Sequence, residues 1–155
     1  MNQGTTKQTT QEEMVYRLGV SNEDRMFCER VEQCLFPISE FDHKSHIRLA
    51  YLYLAQYSLE EAVIKVRETL NSLLKYNGIE PSGKYHETLT KAWLLAVNHF
   101  MNKTEKCTTA DEFIERNPAL LDTEIMMTHY KKETLFSARA RAEFVEPDLL
   151  PIPRY

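Results

Sequence analysis

Between Ser58 and Gly78 the sequence writes out one amphipathic helix with both ends marked. Ser58 and Glu61 have capping-box spacing, in which hydroxyl and carboxylate each satisfy an orphan backbone N–H. Leu59, Ala62, Val66, Leu70 and Leu73 recur at the three- and four-residue steps that align side chains on one stripe. Asn77-Gly78 supplies a left-handed stop. Such a helix needs other helices to cover its stripe, and the flanking sequence offers them.

Asp42 is a good N-cap for a helix over about 43–57. At about 100° per residue His43, His46, Ile47, Ala50, Tyr53, Leu54 and Tyr57 fall on one face, opposite Lys44, Ser45, Arg48 and Gln56. After the loop NGIEPSGK, a further helix over about 85–102 turns His86, Leu89, Thr90, Trp93, Ala96, Val97 and Phe100 inward. Upstream, Ser21 and Asp24 start a helix that carries Phe27, Val31 and Leu35 on a stripe and is stopped by Pro37.

The last third is more broken. Thr109 with Glu112 opens a short helix ending at Asn117-Pro118. Segments 123–132 and 138–144 read as two more, the second capped by Ser137. The tail FVEPDLLPIPRY is too apolar to stay in water and is expected to pack in extended form. No alternating strand pattern occurs, and four glycines supply few turns for an all-β chain. The expectation is all-α: a single-domain helical bundle of four main helices plus short C-terminal helices and an extended Pro-rich tail packed on the bundle. Residues 1–20, rich in Thr and Gln, are expected to be disordered or loosely attached, with 21–155 forming the domain.

Composition narrows the function classes. The net charge is −4, from 19 Lys+Arg against 23 Asp+Glu, without a basic run. That disfavours nucleic acid as a partner, because phosphate binding rests on clustered Lys and Arg. No uninterrupted apolar run approaches the roughly 20 residues a membrane span needs. The first twenty residues lack the apolar centre of a signal peptide. Cys28, Cys34 and Cys107 have no metal or disulfide spacing, which fits reduced thiols and a cytoplasmic location. There is no Gly-x-Ser-x-Gly, and SGK at 82–84 lacks the glycines of a phosphate loop.

The remaining signal is the histidines. His43 and His46 stand three apart, so their rings can converge on one atom. His86, followed by Glu87, adds a third imidazole and a carboxylate on a second helix. As metal ligands, His43, His46, His86 and Glu87 would suit a divalent metal, Zn or Fe. Without metal, imidazoles in the first turn of a helix stay neutral, because the dipole opposes their protonation, and can take a proton from a bound molecule. In that version His43, His46, His86 and Glu87 are the catalytic candidates. Tyr53, Tyr85, Thr88, Thr90 and Arg141 would bind and position the substrate, and Ala50 would leave it room. A third reading makes the histidines structural, each bonded to a carbonyl or a hydroxyl in the core, and pairs Glu87 with Lys91 on the surface. Arg141, if buried, needs Asp148, Glu87 or a bound anion as partner.

The runs FDHKSHIRLAYLYL, SLEEAV, YHETLTKAW, NPALLD and LFSARARAEFVEPD together resemble a family of small, mostly bacterial, uncharacterised all-helical proteins. Its pattern reads Phe-x-His-x-x-His-[Leu/Ile]-x-x-Ala, Tyr-His-Glu-Thr-[Leu/Ile]-Thr and Ala-Arg-x-x-Phe-Val-x-Pro-Asp. The resemblance covers about residues 27–150. It implies one site formed by His43, His46, Tyr85, His86, Glu87, Thr88, Thr90, Arg141 and Asp148, with the tail closing over it. Arg139 has no counterpart role in that pattern.

The sequence therefore leads to a small-molecule-binding protein, an enzyme by preference, with a His/Glu site in an interhelical pocket. The alternative is a non-catalytic interaction or regulatory module, for which a homodimer is one arrangement.

Overall fold

The computed structural model describes residues 19–154, and among these all regular structure is helical. The α-helices are α1 (Asn22–Glu32), α2 (His43–Gln56), α3 (Leu59–Tyr76), α4 (Glu87–Lys103), α5 (Ala110–Arg116), α6 (Lys132–Leu135) and α7 (Ala138–Ala142). Short 3-10 helices lie at Ile38–Glu40, Pro81–Gly83, Pro118–Leu121 and Thr123–Thr128. No helix among the described residues is long and apolar enough to cross a membrane. The loose attachment expected of the N-terminal segment concerns mainly residues 1–18, which lie outside the described residues. Gly19 and Val20 belong to the packed domain. The Gly19 carbonyl accepts the Tyr51 hydroxyl at 2.8 Å. A Cβ on Gly19, which sits at φ +68°, would strike Cys107 O and the Tyr51 oxygen.

The caps act where the sequence puts them. Asp42 accepts from Ser45 N, and the Ser45 hydroxyl bonds back to Asp42 N, closing a capping box. Ser58 caps α3 through Glu61 N, and Gly78 at φ +71° ends it, with Ile79 N bonded to Leu74 O. Helix α3 buries Ala62, Val63, Val66, Leu70 and Leu73. Each leucine fully buried on that stripe is worth roughly 2 kcal/mol of transfer free energy. Helix α4 packs against both α2 and α3, and α2 also packs on α3 and α5.

Three expectations are corrected. Helix α1 stops at Glu32, before Pro37, because Cys34 turns left-handed at φ +59° and Leu35 N and Phe36 N close back on Arg30 O. Leu35 is consequently 60% exposed, off the core stripe. Residues 123–132 do not form one helix: Thr123–Thr128 is a 3-10 helix and α6 begins only at Lys132. The C-terminal segment lies against this stretch, with Leu149 N bonded to His129 O and Ile152 6% exposed.

Arg48 was expected on the polar face of α2, yet it is partly buried. Its guanidinium bonds Asp24, whose side chain is only 2% exposed and also accepts Ser21 N and Ala110 N. This carboxylate ties α1, α2 and α5 together, so the capping-box Asp24 has a tertiary role its spacing did not show.

Candidate functional site

The N-terminal halves of α2 and α4 and the middle of α3 enclose a cavity of about 680 Å³. Its apolar wall comes mainly from Ala50 on α2, Val66, Leu70 and Leu73 on α3, and Leu89 and Trp93 on α4. The loop residues Ile38, Phe41, Ile79 and Tyr85 complete it. This size falls within the range of small-molecule pockets, roughly 300–1,000 Å³. The polar side chains on it are Ser39, Asp42, His43, His46, Lys84, Tyr85, His86 and Thr90.

His43 and His46 share this cavity because Asp42 starts α2 and their i,i+3 spacing places them on one face. The Nε2 of His43 lies 2.9 Å from Leu120 O, and the Nδ1 of His46 lies 2.9 Å from Asp42 O. A carbonyl only accepts, so each of these nitrogens carries the proton. In the neutral rings, Nδ1 of His43 and Nε2 of His46 then bear lone pairs, and neither has a hydrogen-bond partner among the described residues. Both rings are held edge-on against aromatics: His43 on Trp93 and His46 on Phe41, each with centroids 4.6 Å apart. His46 keeps accessible surface while lining the cavity. The surrounding protein lowers its pKa, by desolvation foremost and by the neighbouring His43, against the opposing bond to Asp42 O.

His86 faces the same cavity in a different state. It is the N-cap of α4, one residue outside the first turn where the sequence placed it. Its Nδ1 accepts Leu89 N–H at 3.1 Å and its Nε2–H donates to Leu135 O at 2.7 Å. Both nitrogens are spent, and the ring is neutral by necessity. Burial lowers its pKa, aided by the positive Arg141, while the bond to Leu135 O opposes the shift.

Glu87 does not converge on the histidines. It accepts Arg67 Nε at 2.8 and 3.0 Å and the Tyr85 hydroxyl at 3.1 Å. Nor does it pair with Lys91, whose ammonium lies 4.4 Å from the Phe144 ring centre. The expected four-ligand set His43, His46, His86 and Glu87 is thus divided. Among the described residues no cluster of three or more His, Cys, Asp or Glu has metal-binding geometry.

The expected positioning residues divide likewise. Tyr85 and Thr90 line the cavity. Burial pushes the Tyr85 phenol up to about 12, with Thr90 pulling it down and Glu87 adding to the rise. Tyr53 lies outside the lining, its hydroxyl locked between Glu32 Oε1 and Thr69 Oγ1, each at 2.8 Å. Thr88 is fully buried and staples the chain after α7, donating to Glu143 O and accepting Val145 N–H. Arg141 donates to Gly83 O at 3.1 Å, anchoring the cavity loop instead of meeting Asp148 or Glu87. Asp148 receives Lys131 N and the Thr134 hydroxyl, far along the chain from the histidine pair.

Asp42, Lys84 and Arg67 were not among the sequence candidates. Asp42 and Lys84 stand on the cavity rim, and Arg67 holds Glu87. Ile79, an apolar residue in an otherwise polar loop, was the one available sign that NGIEPSGK forms a wall. Comparison with protein-family models, curated proteins and solved structures finds no match for this chain.

Proposed function

We propose that the protein binds a small, largely apolar molecule in this cavity and acts on it by metal-free acid–base chemistry, with His43 and His46 as proton acceptors. One observation carries the reading: two adjacent imidazoles in an apolar cavity, each with one nitrogen fixed to a carbonyl and the other uncommitted. The carbonyl bond sets both tautomer and ring direction, as a positioned general base requires. Tyr85 and Thr90 serve as substrate-positioning hydroxyls, and Arg67 and Glu87 hold Tyr85 in place. His86 supports the site by ordering the start of α4. The metal version loses ground because His86 and Glu87 are committed elsewhere, leaving two protein ligands where zinc sites use three or four. The finer architecture we propose is four main helices forming the bundle around this cavity, with the Pro-rich tail as its outer strap. Three free thiols suit a reducing compartment such as the cytoplasm.

The test is ligand-observed NMR with a library of apolar fragments against the wild type, Ala50→Trp and Leu74→Trp. Both substitutions place an indole in the cavity, one at its floor on α2 and one on α3. Fragment binding that both variants lose supports the reading. Either no binding by any fragment or equal binding by folded variants rejects it.

A further inference from the structure

The histidines, Tyr85 and Thr90 of the cavity have spent their protons elsewhere. His43 Nε2–H goes to Leu120 O and His46 Nδ1–H goes to Asp42 O. The Tyr85 hydroxyl donates to Glu87 and the Thr90 hydroxyl to His86 O. His86 has no free nitrogen at all. What these groups still present is lone pairs. The side-chain donors that remain are the Trp93 indole N–H on the apolar wall and, on exposed residues of the rim, the Lys84 ammonium and the Ser39 hydroxyl.

Resting on the cavity reading above, we infer that the ligand is an apolar molecule bearing a hydroxyl or amino hydrogen-bond donor, which His43 Nδ1 and His46 Nε2 accept, and not a carboxylic or phosphoric acid. An acceptor-only head group would leave two imidazole lone pairs facing its own, unless the rings took up protons. The lowered pKa of His46 makes that uptake harder at neutral pH. A donor head group meets the site as it stands. Each uncharged hydrogen bond adds a modest net gain, so one or two of them separate donor from acceptor ligands by about tenfold.

The experiment uses the full chain at pH 8 with a chelator present, so that no adventitious metal bridges the rings. Four probes share one ring system: 2-naphthylmethanol, 2-naphthylmethylamine, 2-naphthoate and 2-methylnaphthalene. Calorimetry gives their affinities, and 15N spectra of the histidine rings report the bond to Nε2 of His46. Expected are about tenfold tighter binding of the alcohol or the amine than of naphthoate and methylnaphthalene, and an upfield shift of the His46 Nε2 signal. His46→Phe, which keeps a ring at a position that is not buried, should reduce that preference to threefold or less. Naphthoate binding as tightly as the donors, methylnaphthalene matching the alcohol, or a preference that survives His46→Phe overturns the donor inference while the cavity stands. Failure of all four probes to bind overturns the cavity reading with it.

Discussion

Replacing His86 by alanine tests whether this histidine is a structural cap or part of the chemistry. The side chain does two jobs that alanine cannot. Its Nδ1 takes the Leu89 N–H, one of the orphan donors at the start of α4, and loss of an N-cap acceptor costs about 0.5–2 kcal/mol. Its Nε2–H satisfies the Leu135 carbonyl at 2.7 Å, and a buried acceptor left without a partner costs about 1–3 kcal/mol. His86 is 9% exposed and Leu135 is fully buried, so water replaces little of either bond. The sum is about 1.5–5 kcal/mol, read as a drop in the urea midpoint at unchanged slope. His46→Ala should cost less than about 1 kcal/mol, because Asp42 O keeps the His46 backbone N–H and the residue is exposed.

The same cap makes a pH prediction. Protonating Nδ1 would destroy the acceptor that Leu89 N–H needs, and the His86 pKa is accordingly lowered in the folded state. Below the unfolded value, near 6.5, the unfolded chain then binds more protons than the native one, so stability falls as pH falls. The loss starts at about pH 6.5 and levels off once the folded-state pKa is passed. His86→Asn keeps a cap acceptor without a titrating group and should reduce this part of the slope, to which His46, whose pKa is also lowered, still contributes. A His86→Ala protein within 0.5 kcal/mol of the wild type, or a His86→Asn protein with an unchanged slope between about pH 5 and 6.5, would refute the cap assignment.

Further outcomes concern the groups around the site. Thr88→Val, nearly isosteric, removes a buried hydroxyl that bridges Glu143 O and Val145 N. It should cost about 2 kcal/mol and speed hydrogen exchange at the Val145 amide. Asp24→Ala leaves the partly buried Arg48 guanidinium without its carboxylate and should destabilise by about 3–5 kcal/mol in chemical denaturation. Burial and the adjacent Glu32 push the Cys28 thiol up to about 12, and Cys107 is buried and also raised. A thiol reagent at pH 8 should therefore label Cys34 rapidly and the other two only on unfolding, with mass spectrometry of the labelled peptides as the check.

Much of the fold could be read because its signals are local. A cap side chain bonds an amide two or three residues away, so Asp42, Ser58, Thr109 and Ser137 announced α2, α3, α5 and α7 correctly. The positions that misled were those whose side chains answer to distant partners. Tyr53 has the right face of α2, but Glu32 and Thr69 claim its hydroxyl from α1 and α3. Glu87 has a suitable i+4 lysine, but Arg67 from α3 reaches it first and Lys91 takes an aromatic face. Residues 123–132 carry enough apolar side chains for a helix. Their packing and their bonds to Leu149 and Leu150 favour shorter turns.

The histidines show the same division in one site. Spacing alone told that His43 and His46 face one way, and they do line one cavity. It could not tell which nitrogens remain free, since that depends on Leu120 O, 77 residues from His43, and on Leu135 O, 49 residues from His86. Those carbonyls divide three similar imidazoles into two kinds. One ring is saturated and fixes the start of α4, so its removal should be read in stability. Two rings keep a lone pair each, so their removal should be read in binding or turnover with the fold intact. A double comparison follows from that division: His86→Ala loses stability whether or not a ligand is present, whereas His46→Ala loses only the ligand-induced rise in Tm. If His46→Ala proved the more destabilising of the two without ligand, the division of roles would be reversed and the acceptor pair would no longer be the site.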